Sequence, residues 1–208
     1  MTAAPATPRL SDRKRAAILD AALAEFRATG YEATSMDRIA ASAGVSKRTV
    51  YNHFPGKEAL FTHILEAMLE RGQGGVDLPY RADAPLREQL LELVQQKLRL
   101  LHDPTFIDLA RVAITAGLHS PDLARDMIER LGDREEGIAR WIRAAATDGR
   151  LDTPDPAFAA AQLETLVKGF AFWPQLAMGQ PPLGKARQKA VAEGAVEMFL
   201  ARYVGRNG

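Results

Sequence analysis

Apolar residues recur along this chain at intervals of three and four, the repeat of one helix face, and never in the strict alternation of a half-buried strand. From Ser11 onward Ile18, Ala22 and Phe26 fall on one stripe, with Leu19 and Leu23 beside them. Gly30 ends this helix, since glycine takes positive φ at little cost. "TSMDRIAASAG" opens a second helix, with Ser35 or Thr34 as its N-cap and Gly44 closing it. Ser46 caps a short third helix, "KRTVYNHF", which Pro55-Gly56 breaks. A longer helix carries Leu60, Phe61, Ile64, Leu65, Met68 and Leu69, and "RGQGGVDLPYRADAP" reads as a loop. The remainder is helical throughout. A leucine-rich helix covers 86–102, Pro104 and Pro121 each stand at a first helical position, and the helix from Pro121 has a possible bend at Gly132. A further helix starts at Asp155-Pro156 and is kinked or ended by Pro174; after the loop "GQPPLG" a last helix runs through "KARQKAVAEGAVEMFLARYV". The pattern predicts an all-α fold of about nine helices without a repeat of fixed length, preceded by a flexible tail at 1–10.

The first three helices, within about 45 residues and with "AGVS" joining the second to the third, have the form of a helix-turn-helix. Ala40 is small where two helices must approach, and Gly44 supplies the turn. Ile39, Val45, Val50 and Phe54, with Phe26 from the first helix, are the expected small core. Burying Val50 and Phe54 fixes the roll of the third helix. Lys47, Arg48, Thr49, Tyr51, Asn52 and His53 then cannot all be inside, and most of this dense row of hydrogen-bond donors faces outward. Such a row suits the major groove of DNA, where base edges present distinct donor and acceptor patterns between two lines of phosphates. Lys57, just inside the following helix, adds its ammonium to a positive helix end.

Charge adds one observation to this picture. Residues 1–57 carry nine Lys/Arg against five Asp/Glu, whereas 58–208 carry eighteen against twenty-one, although the whole chain is only +1. A basic N-terminal piece on a mildly acidic remainder points to an anionic partner for the first piece alone. The other bulk features exclude alternatives. With no cysteine there is no disulfide frame, thiolate metal site or cysteine nucleophile, which suits a reducing cytoplasm. The N-terminus lacks an apolar signal core, and the longest uncharged stretch, 169–184, holds three prolines and two glutamines, so no membrane span is expected. Gly-rich "RGQGGVDL" fails the dinucleotide fingerprint, since Asp77 stands where its last glycine belongs. His53, His63, His102 and His119 have no metal-ligand spacing, and Asp155 reads as a helix cap. Neither an enzyme nor a metal or cofactor site is expected.

Residues 18–61, "ILDAALAEFRATGYEATSMDRIAASAGVSKRTVYNHFPGKEALF", resemble the DNA-binding domain of the TetR (tetracycline-repressor-like) family of bacterial regulators. The resemblance rests on Phe26, Gly30-Tyr31, Thr34-Ser35, Ile39-Ala40, Gly44-Val45-Ser46, Thr49, Tyr51, His53-Phe54, Lys57-Glu58 and Leu60. It implies a helix-turn-helix domain over 11–57, joined by a long helix to a ligand-binding and dimerisation domain over 58–208. Lys47, Arg48, Thr49 and Asn52 match positions that touch bases or nearby backbone; Arg48 fits guanine O6 and N7, and Asn52 fits adenine. Tyr51, His53, Lys57 and the hydroxyl of Thr34 or Ser35 match phosphate-holding positions, with half-buried packing as the rival reading of His53.

The segment "FIDLARVAITAGLHSPDLARDMIERLGDREEGIARWI" is similar to the AefR-like subset of these repressors. The resemblance implies a homodimer on a palindromic double-stranded operator, released by a small, mainly apolar effector, in the bacterial cytoplasm at the nucleoid. Candidate pocket residues are His102, Phe106, His119, Met127, Trp141, Phe170 and Trp173. Candidate interface residues on the last two helices are Leu163, Leu166, Val167, Phe170, Val191, Val196 and Phe199. For both sets an ordinary core position is the competing reading. The functional alternatives are an activator, or a ligand-independent DNA-binding protein of the same fold.

Overall fold

The computed structural model describes residues 9–74, 78–132 and 137–205, without the side chains of 68–74, 126–128 and 130–132. Among these residues there are eleven helices: α1 (Leu10–Thr29), α2 (Met36–Ser42), α3 (Lys47–His53), α4 (Lys57–Gly74), α5 (Leu86–His102), α6 (Pro104–His119), α7 (Pro121–Gly132), α8 (Gly137–Thr147), α9 (Pro156–Ala171), α10 (Trp173–Met178) and α11 (Lys185–Tyr203). The fold is all-α, and an isolated bridge between Leu151 and Val204 is an extended pairing beside these helices. Two of the nine expected helices are each described in two pieces. The described part of the helix from Pro121 ends at Gly132 and the next described helix begins at Gly137, so the bend expected at Gly132 adjoins 133–136, which lie outside the described residues. The helix from Pro156 stops at Ala171, because Pro174 lacks an N–H and its ring would strike the carbonyl of Phe170. The same proline fits the first turn of the next helix, α10, which starts from Phe172 at φ −112°, ψ −62°.

Local chemistry sets the other ends. The Ser35 hydroxyl accepts from the Arg38 N–H at 3.3 Å, Ser46 from Thr49 at 3.1 Å, and Asp155 from Phe158 at 3.0 Å. Each satisfies a backbone donor that the helix itself leaves open, a contribution of about 1 kcal/mol. Gly44 at φ 65° reverses the chain after α2, and its neighbour Val45 donates back to the Ala40 carbonyl at 3.1 Å.

The chain divides into two compact units, Met1–Met68 with Asp108–Met127, and Leu69–Ile107 with Ile128–Gly208. In the first, Ile18, Ala22 and Phe26 of α1 meet Ile39 and Ala40 of α2, Val50 of α3, and Leu60, Phe61 and Ile64 of α4, all buried. Burying the larger of these, the valine, leucine, isoleucine and phenylalanine side chains, contributes about 1.5–3 kcal/mol each. Phe26, Tyr31 and Phe61 form a three-ring cluster, tilted or edge-on, with centroids 5.4 Å (Phe26–Tyr31), 5.1 Å (Tyr31–Phe61) and 6.4 Å (Phe26–Phe61) apart. Val45, expected in this core, is only half-buried. Arg27 on α1 meets Asp108 on α6 at 2.8 Å.

In the second unit α8 packs on α9, and α11 packs on α5 and α9. Its core includes Leu90, Leu93, Leu101, Ile142, Leu163, Val167 and Val196. Three buried polar residues interrupt the apolar stripe. Gln89 accepts from the Arg81 N–H at 2.9 Å and the Trp141 indole at 3.3 Å, and donates to the Arg81 and Ala84 carbonyls at 2.9 and 3.0 Å. Lys97 of α5 lies 3.3 Å from Glu164 of α9, which also pairs with Lys168 one turn on. No helix among the described residues is long and apolar enough to cross a membrane.

Candidate nucleic-acid interface

The roll of α3 is set by Val50 and the following Phe54, neither of which has any exposed surface. With Val50 turned inward, helix geometry sends positions 47, 48, 51 and 52 outward together. Lys47, Arg48, Tyr51 and Asn52 are exposed in this way, while Thr49 and His53 at the edges are half-buried. The sequence-predicted donors are therefore gathered on one surface. Their chemistry is not uniform. Lys47 is held 2.5 Å from Asp37 of α2, so part of its charge is already balanced. Among the described residues Arg48 and Asn52 have no hydrogen-bonding or ionic partner, which leaves the guanidinium fork and the carboxamide free for base edges. The Thr49 hydroxyl is 2.8 Å from that of Ser46, the cap of its own helix. The His53 ring lies 6.4 Å from that of Phe54.

Of the two hydroxyls at the start of α2, Thr34 is buried and committed: it donates to the Gly30 carbonyl at 2.8 Å and lies 3.0 Å from the Thr29 hydroxyl. Ser35 is exposed and is the cap. Lys57 also has work inside the chain. Its ammonium donates to the Tyr31 and Glu32 carbonyls at 2.8 and 3.2 Å and sits 4.3 Å from the centroid of the Tyr31 ring. Its third proton remains for an anion. The buried phenol beneath it is pushed up to about 12, by desolvation first and then by the charges of Glu58 and Glu32, so it stays protonated. Periodicity cannot foresee this staple, because it joins residues 26 apart through backbone carbonyls.

The candidate pocket residues have different surroundings. Trp141 is 1% exposed, locked by its bond to Gln89 and by the Tyr80 ring at 5.5 Å, and so is a core residue. His102 and His119 are exposed, the latter with its ring nitrogen 2.8 Å from the Thr115 carbonyl. Phe106 is half-buried against Phe172, at 6.4 Å. Phe170 and Trp173 are on the surface. The side chain of Met127 lies outside the described residues.

The interface candidates divide differently. Val167, Val191 and Val196 are buried inside their own subunit, because α9 and α11 pack those faces on each other and on α5 and α8. Leu163 and Phe199, also buried, line a groove of about 480 Å³ between α9 and α11, along with half-buried Leu166. Its outward apolar groups are Phe158 and Met198, 58% and 62% exposed, neither of them singled out by the sequence pattern. Phe170 stands beside the Arg187 guanidinium at 5.5 Å.

Comparison with known proteins assigns both parts of the chain. Residues 18–64 match the family described as bacterial regulatory proteins, tetR family, and residues 88–205, more than half the chain, match the AefR-like transcriptional repressor C-terminal domain. The HTH-type transcriptional regulator SrpR of Pseudomonas putida is 30% identical over 142 residues. That match covers 68% of this chain and 65% of SrpR, just under two thirds of the relative's length. A solved TetR family regulator from Pseudomonas syringae pv. tomato str. DC3000 is 49% identical, with a TM-score of 0.84 over 94% of this chain and 98% of its own. The solved flavonoid-responsive regulator FrrA is 30% identical, with a TM-score of 0.75 over 94% and 99%.

Proposed function

This chain belongs to the tetR family of bacterial regulatory proteins and is a DNA-binding transcriptional regulator, and from that premise we propose that it is a repressor, acting as a homodimer on a palindromic operator and released by a small molecule. The observation that carries the reading is the outward face of α3, four polar side chains fixed by the burial of Val50 and Phe54. In this reading α3 enters the major groove. Arg48 reads guanine and Asn52 adenine, with Lys47 and Thr49 at neighbouring bases or backbone. Ser35, Tyr51, His53 and the spare proton of Lys57 hold phosphates. Of the Thr34–Ser35 pair, Ser35 takes the phosphate, since the Thr34 hydroxyl already serves the turn between α1 and α2.

The dimer reading rests on the α9–α11 groove. Phe158 and Met198 are exposed there without partners in the subunit's own core. On the same two helices Gly169 and Gly194 stand where an added Cβ would meet nothing within 4 Å. Glycine inside a helix costs about 1 kcal/mol relative to alanine. Nothing among the described residues calls for it at these positions, whereas a closely packed helix of a second copy would. Two recognition helices held at fixed spacing would read both halves of a palindrome.

Release follows from linkage. An effector that prefers an arrangement unable to grip DNA withdraws population from the bound state, and effector and operator then weaken each other by the same factor. The flavonoid response of the similar regulator FrrA supports a small-molecule signal here. Helices α4, α6 and α7 each belong partly to one unit and partly to the other. They are the elements through which such a shift would pass.

The test is selection of bound duplexes from a random pool at near-physiological salt, with Arg48→Ala alongside. A palindromic motif is expected, blurred at one base pair per half-site in the variant, at a cost of about 1–3 kcal/mol. Salt-sensitive binding without any motif would overturn the operator reading.

A further inference from the structure

Helices α5 and α11 run antiparallel. The Gln188 amide lies 3.3 Å from the His102 ring toward one end of their seam, and Arg87 lies 3.6 Å from Glu197 at the other. Along this seam is a groove of about 380 Å³, a size that takes a small organic molecule. Its floor is apolar, with Leu98 and Ala192 buried and Leu91 half-buried. Its rim is cationic, with Arg99 from α5 and Lys185 and Lys189 from α11. Lys189 and Met198 are separated by about two and a half turns of α11 and so stand on opposite sides of it. The dimer face around Met198 therefore leaves this groove uncovered.

The charges along the seam are unequally balanced. Arg87 has Glu197, and Lys189 lies 3.9 Å from Glu193, one turn on. Arg99 and Lys185 are exposed and engage no partner among the described residues, although they line the same groove from facing helices. Among the described residues that line it, the one acid is Glu193, about two turns along α11 from Lys185. Gln188 is half-buried at the Lys185 end, its amide held by the Leu183 carbonyl at 2.7 Å. Two cations over one apolar floor repel each other, and an anion between them would turn that repulsion into two attractions.

We propose that the α5–α11 groove binds an amphiphilic monocarboxylate. The carboxylate accepts from the guanidinium fork of Arg99 and from the Lys185 ammonium. The apolar body lies over Leu98 and Ala192 and reaches Leu91, about 12 Å from Arg99 along α5. The aliphatic stem of Lys189 covers it from the side. A medium-chain fatty acid such as decanoate has that length and that single charge. Glu193 stands toward the tail end, so a second carboxylate there is refused. The site lies within one protomer and stands apart from the operator reading.

The experiment titrates decanoate, below the concentration at which it aggregates, into the full-length protein without DNA and follows the heat. Decanol and decanedioate are titrated alongside, and all three again into the Arg99→Gln/Lys185→Gln variant. Decanoate is expected to bind saturably, and about tenfold or more weakly in the variant, which lacks both charged donors. Decanol should bind more weakly than decanoate and equally to both proteins. If the variant loses helix content, Lys185→Glu is read in its place, since an acid is favoured in the first turn of a helix. Decanoate binding of equal affinity in the two proteins would assign the ligand to another cavity and overturn the proposal. So would the absence of saturable decanoate binding. Decanol or decanedioate bound as tightly as decanoate would overturn the monocarboxylate. Met198→Glu should leave decanoate binding unchanged, and its loss there would overturn a site contained in one protomer.

Discussion

Replacing Lys57 by methionine keeps the aliphatic stem and removes the ammonium, and with it three interactions made without DNA. The bonds to the Tyr31 and Glu32 carbonyls, 2.8 and 3.2 Å long, come from a charged donor. Such bonds contribute about 1.5–3 kcal/mol each when well shielded. Lys57 is half-buried, so water can replace part of the loss, and the longer bond counts for less. Together they come to roughly 2 kcal/mol. The ring of Tyr31 at 4.3 Å adds about 0.5–1 kcal/mol. The two compact units need not unfold together, so a single melting curve is the wrong assay. Amide hydrogen exchange without DNA reads each unit separately. Protection across α1 to α3 is expected to fall by roughly 50-fold or more, at about tenfold for each 1.4 kcal/mol, while α8, α9 and α11 keep theirs. A double-mutant cycle with Tyr31→Leu should return a coupling of about 0.5–1 kcal/mol for the ring. Unchanged protection in the variant, together with weakened DNA binding, would refute the staple and leave Lys57 as a phosphate contact alone.

Tyr31 itself gives a prediction in pH. Its phenol titrates at about 12 in the folded chain against an ordinary 10.0. The folded state therefore disfavours the phenolate. The associated stability is whole below pH 10 and is lost as pH rises toward 12, at most about 3 kcal/mol. Urea unfolding at about pH 9 and about pH 11, on either side of the ordinary value, should show this loss in the N-terminal unit. Tyr31→Phe should remove it; an equal pH dependence in the variant would assign it to other groups. At the α9–α11 groove, Met198→Glu should shift the dimer toward monomer in sedimentation at unchanged helix content, since the side chain is 62% exposed in the subunit. A dimer of undiminished affinity would place the interface elsewhere.

Much of the interface is legible because it is written locally. Gly30, Gly44, Ser46 and Pro55-Gly56 set helix ends through their own backbone chemistry, and period alone puts Val50 and Phe54 inside, which turns Arg48 and Asn52 out. The pocket is not legible. Trp141 is a candidate lining residue with an ordinary core position as the competing reading, and Gln89, 52 positions earlier, holds its indole in the core. All seven interface candidates are apolar and helically spaced, yet five of them, Leu163, Val167, Val191, Val196 and Phe199, are buried in the subunit. Spacing cannot say which of two apolar stripes meets the same subunit and which is left for a partner. Phe158 and Met198 escape the pattern for that reason.

The sequence by itself determined most of the helices, the ends set at Gly30, Gly44, Ser46 and Asp155, and the roll of α3, since these depend on residues within a turn or two of one another. Only the tertiary structure decided which charges are already engaged. Lys47 on Asp37, Lys57 on the carbonyls after Gly30, Lys97 on Glu164 and Arg15 over Phe54 are all matters of distance between segments remote in the chain. A charge's availability to a partner depends on what lies within a few ångströms of it, and a linear pattern carries no such distance.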